Sequence, residues 1–140
     1  MTHLPSQDIS ARIEDLYGAT LADLDAAAQE RPPGMLAALL GSHRTLAFAE
    51  QSITAHCDRL HHLVQPDREI DAHDVVHVLD CARRLAEAVA VRDTQAQTAV
   101  AVLDSLARVA ASEIQAPVAG PAASSMPAKP LPAAAVAPGR

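Results

Sequence analysis

Aromatic side chains are almost missing from this sequence. Tyr17 and Phe48 stand alone, and there is no tryptophan. That scarcity argues against an aromatic-lined ligand pocket, a base-stacking platform or an aromatic membrane belt. Glycine is also scarce, with five in 140 residues, which leaves few positions for strained catalytic loops. No G-x-S-x-G, P-loop, H-E-x-x-H or glycine-rich phosphate cradle occurs. No apolar run approaches the length of a membrane span. The first residues show neither the basic nor the apolar segment of a secretory signal. Two cysteines, Cys57 and Cys81, fit a reduced, cytoplasmic protein better than a disulfide scaffold.

Positive charge is in short supply as well. The net charge is −6, and both charges after residue 115, Lys129 and Arg140, are positive, so residues 1–115 carry −8. An acidic body argues against nucleic-acid phosphates and against anionic membrane surfaces.

Small aliphatic side chains fill the space that the aromatics leave. Hydrophobic residues make up 49% of the chain, mostly Ala, Leu and Val, a composition suited to closely packed helices. The sequence predicts an all-α fold: an antiparallel bundle of three helices over residues 1–115. A disordered Pro/Ala-rich tail is expected over 116–140, where six of the ten prolines fall.

The first helix is expected to be capped by Ser6 and to run through Gly18 to Arg31-Pro32-Pro33-Gly34, with Ile9, Ile13, Leu16, Leu21 and Leu24 as its apolar stripe. The second carries Leu36, Leu39, His43, Leu46, Glu50, Ile53, Cys57, Leu60 and Val64 in alternating steps of three and four. That spacing is a heptad seam with two polar members. The third opens with Asp71 and Asp74 as a capping pair and Ile70 stapled to Val75. Its stripe is read as Val75, Leu79, Ala82, Ala86, Val89, Asp93, Ala96, Val100, Leu103, Ala107, Ala110 and Ile114. It is either one long helix or one kinked near 92–94, where Thr94-Gln95-Ala96-Gln97 could start a fourth.

Folding the second helix onto the third pairs residues whose numbers sum to about 136. His43 then faces Asp93, and a fold at Pro32 brings Arg12 near Glu50, giving four buried polar residues that fix register. The third helix also outreaches the first by roughly 25 Å at 1.5 Å per residue. Its late stripe, Val100, Leu103, Ala107, Ala110 and Ile114, is thus expected to be an interaction surface, with a second copy as partner.

Five of seven histidines lie between His56 and His77. Cys57-x3-His61 and His77-x3-Cys81 place two thiols and two imidazoles near one hairpin, a ligand set that suits zinc. The competing reading is one core cysteine, Cys57, beside solvated histidines, with Cys81 the reactive thiol. The heptad phase favours it, so no metal, cofactor or catalytic residue is assigned. His43 in Gly41-Ser42-His43-Arg44 invites comparison with a phosphotransfer histidine but lacks the following Lys and Gly. The sequence thus leads to a non-enzymatic helical adaptor, chaperone-like or regulatory protein. A metal- or redox-responsive regulator and a histidine phosphotransfer-like domain are the alternatives.

Overall fold

A computed structural model describes residues 3–115 of the chain, all helix and connecting turns. The expected tail over 116–140 lies outside the described residues. Among the described residues there are four helices, not three: α1 (Ser6–Tyr17), α2 (Leu21–Gln29), α3 (Met35–Leu63) and α4 (Ala72–Gln115).

The extra helix comes from a break at Gly18, which the sequence reading passed through. Gly18 takes a left-handed conformation, φ 69°, and its N–H donates to the Glu14 carbonyl at 2.7 Å. Such a cap suits a residue without Cβ. Thr20 then restarts the chain: its hydroxyl accepts from the Asp23 N–H and donates to the Asp23 carboxylate at 2.7 Å. Glu14 adds a second cap, accepting from the Leu21 N–H at 2.7 Å.

α4, by contrast, is continuous through residues 92–94. No glycine or proline interrupts it. Its start is the expected one, because Asp71 accepts from the Asp74 N–H at 2.8 Å.

α3 and α4 form a long antiparallel hairpin. Ser42 donates to Gln95 at 2.6 Å, and Cys81 lies 3.4 Å from the His56 carbonyl. In both pairs, 42 with 95 and 56 with 81, the numbers total 137, one from the expected register. The facing rows, however, sit one residue off the expected ones. α4 turns Asp74, Val78, Cys81, Leu85 and Ala88 inward, while Val75, Val76 and Leu79 are 47, 62 and 65% exposed.

α1 and α2 cover only one half of this hairpin. Ile9 and Ile13 of α1 and Leu24 of α2 meet Leu39, Leu40 and Leu46 of α3, and Ala96, Ala99 and Leu103 of α4, in one buried cluster. Ser6 at the start of α1 contacts Glu50, and Arg12 reaches Asp104. α1 therefore runs from the middle of the hairpin toward its open end. The other half, residues 51–63 with 72–88, is a two-helix arm, where only Leu63, Asp74 and Cys81 are buried.

Candidate interaction surface

Two neighbouring apolar rows run down α4. One faces α3. The other, at Val75, Leu79, Ala82, Ala86, Val89, Ala96, Val100 and Leu103, follows the stripe read from sequence. Near the core it takes α1: Leu103 is 2% exposed, and Val100 packs on the buried cluster. Along the arm, where α1 ends, the same row is bare. Cys57 of α3 and Val64 just after the helix, in phase with His43 and Glu50, are bare there too. Ile70, at the arm tip, is half exposed. The expected staple between Ile70 and Val75 is therefore not a buried contact.

The late stripe of α4 divides differently from expectation. Val100 and Leu103 are occupied by the chain's own first helix. Ala107 and Ala110 are exposed, and Ile114 is 85% exposed where α4 runs past the other helices. The predicted overhang therefore exists, but it begins beyond Asp104, which Arg12 of α1 still reaches.

The polar seam residues find other partners than those expected. Glu50 caps α1 from another helix, accepting from the Ser6 N–H at 3.0 Å and from the Ser6 hydroxyl. A carboxylate at a helix N-terminus is well placed against the helix dipole. Arg12 pairs with Asp104, not with Glu50. Asp93 pairs with its neighbour Arg92 at 2.8 Å, not with His43. His43 is 9% exposed, and its Nδ1 has no hydrogen-bond partner among the described residues. Asp93 instead borders a cleft of about 530 Å³ with His3, Leu4, Val100 and Asp104.

The thiols are the reverse of expectation. Cys81 is 7% exposed, with Sγ 3.7 Å from His56 Nδ1, and Cys57 is exposed. The one-residue shift in phase accounts for both. His61 and His77 are exposed. Cys57, His61, His77 and Cys81 do not converge: among the described residues, no three His, Cys, Asp or Glu side chains group as metal ligands.

At the tip, Asp74 is buried and ion-paired with Arg68. The Asp71 carboxyl is held below its ordinary value, chiefly by the hydrogen bond from the Asp74 amide. Along α4, Arg84 pairs with Asp80 four residues before it at 2.9 Å. Among the described residues no helix is long and apolar enough to cross a membrane. No protein-family model, curated protein or solved structure matches the chain.

Proposed function

We propose that this protein is a non-enzymatic adaptor or regulator that works through helix-on-helix contact, and that its working surface is the bare face of the arm. One observation carries the reading: an apolar row on α4 joins the core that Ile9 and Ile13 of α1 help build over Ala96–Leu103 and is left open over Val75–Leu79. Helix-packing chemistry is thus present twice, and used once within the chain.

The occupant the arm fits is a second copy of the arm. Two helices laid on two helices close a four-helix bundle. The face is the same on both copies, so a two-fold axis completes the assembly. Charges of both signs, Asp80 and Glu87 with Arg83 and Arg84, flank the row and can pair across such an axis.

Magnitude sets the strength. Seventeen residues of arm are about 25 Å long and two helices about 20 Å wide. Such a face offers about 500 Å² per copy, or about 1,000 Å² in total, the lower end of specific interfaces. The association is therefore weak and reversible, as suits a regulator. The overhang at Val109 and Ile114 supports a smaller, second contact.

Sedimentation equilibrium of the full chain tests this. The parent protein should dimerise with rising concentration. Val76→Glu with Leu79→Glu should remain monomeric with helicity intact. A parent chain that stays monomeric up to millimolar concentration would sink the self-association reading. The chaperone-like reading would then need a partner helix from another protein. The phosphotransfer alternative is weakened by the burial of His43, and the four-ligand metal alternative by the separation of its residues.

A further inference from the structure

Two histidines in the first turns of α4 bring their ring nitrogens together. His73 and His77 are four residues apart, and their Nε2 atoms lie 2.9 Å from each other. Their ring centroids are 4.3 Å apart with the planes at 86°. Both side chains are exposed. With both rings neutral, one Nε2 carries a proton and the other accepts it, so the two rings hold opposite tautomers.

That spacing also matches two ligands of one metal ion. Nitrogens each about 2.05 Å from a metal are about 2.9 Å apart at a right angle, and about 3.3 Å apart at a tetrahedral angle. The 2.9 Å separation, set here by the hydrogen bond, lies within that reach. Two adjacent imidazoles suit neighbouring positions of a square or octahedral ion, the preference of Cu(II) and Ni(II).

We propose that His73 and His77 form a two-imidazole site for a divalent copper or nickel ion on the outer surface of the arm, with water completing the coordination. The site shares His77 with the Cys57/His61/His77/Cys81 set but uses neither thiol, since Cys81 turns inward to His56. Carboxylates on the same stretch are engaged elsewhere: Asp74 with Arg68, Asp71 with the Asp74 amide, and Asp80 with Arg84. The donor set is therefore nitrogen alone. On coordination, the ring that held its proton on Nε2 shifts it to Nδ1, and both Nε2 lone pairs face the ion.

Copper(II) and nickel(II) titrations of the full chain test the proposal, with His3→Ala in every protein so that a histidine near the chain start does not compete. Calorimetry should give one ion per chain for each metal. The copper-loaded protein should show two equatorial nitrogens by electron paramagnetic resonance. His73→Ala and His77→Ala should each weaken binding on the order of a hundredfold, the scale of losing a second attachment point. Both positions are exposed, so circular dichroism should show unchanged helicity. The paired change His61→Ala with His62→Ala should leave the affinity as it was. Parent affinity in either single variant, or a loss that follows His61 and His62 instead, overturns the site.

Discussion

His43 is buried, yet its Nδ1 meets no partner among the described residues. A buried polar atom left unpaired costs about 1–3 kcal/mol. Removing the imidazole for a side chain of similar volume should therefore help as much as it hurts. His43→Leu should change stability by less than about 1 kcal/mol, or raise it. The neighbouring truncation Leu46→Ala should cost about 2–5 kcal/mol, because Leu46 is fully buried in the core. Chemical denaturation of the two variants checks the contrast, and a large loss in His43→Leu would mean the ring has a partner after all. Asp71 offers a test by pH. Its carboxyl titrates below the ordinary 3.8 because the Asp74 amide donates to it. A lowered folded value means the ionised form supports the fold at neutral pH. That support is lost as pH falls from the unfolded value through the lower folded one. Asp71→Asn keeps an acceptor but does not titrate. Its melting temperature should trail the parent's at pH 7, and the gap should narrow as pH falls below 3.8. A gap unchanged between those pH values would show that the charge plays no part.

At the scale of the helices, stability should be uneven. The core half of the hairpin packs four helices together, whereas the arm has two. Amide hydrogens of 53–62 and 76–88 should therefore exchange faster than those of 40–47 and 95–103. Mass spectrometry of exchanged peptides checks the order, and equal protection would show that the arm is covered. The sequence made the helical class, the hairpin and its register legible, because the heptad spacing of α3 and the Asp71–Asp74 pair are local signals. It misled on phase. α4 carries two neighbouring apolar rows, and the bulkier one, with Val75 and Leu79, looked like the seam. The row that faces α3 is poorer, with Asp74, Cys81 and Ala88, and only the packing of α1 against the other row separates the two. The break at Gly18 was readable: Thr20 and Asp23 are a capping pair in plain sequence, outweighed by the unbroken stripe around them. The candidate site was legible as residues but not as a surface, since Val100 and Leu103 share a row with Val75 and Leu79 until α1 covers one end. The meeting of His73 with His77 follows from their spacing of four, which sequence alone shows without the ring geometry.

For the molecule as a whole, a weak two-fold contact through the arm couples folding to concentration. Ligation of the folded form by a second copy raises apparent stability by mass action. The melting temperature of the parent chain should climb with protein concentration, while Val76→Glu with Leu79→Glu should melt at one temperature throughout. A Val100→Ala variant should melt lower but keep the parent's concentration dependence, since Val100 packs inside one chain. Scanning calorimetry over a hundredfold concentration range separates the three. A parent melting temperature independent of concentration would argue against assembly.

α4 spans 44 residues, about 65 Å at 1.5 Å per residue. The four-helix core grips it around Ala96–Leu103, while along the arm it packs on α3 alone. Two packed helices gripped at one place along the longer one form a lever, and this one has unequal throws. From the grip to Ala72 is about 36 Å, and from the grip to Gln115 about 18 Å. No glycine or proline lies between to absorb a bend. A tilt imposed on the arm tip must therefore reappear at the opposite end, reversed in direction and about half as large. Engagement of the arm would in this way be felt where the chain leaves α4.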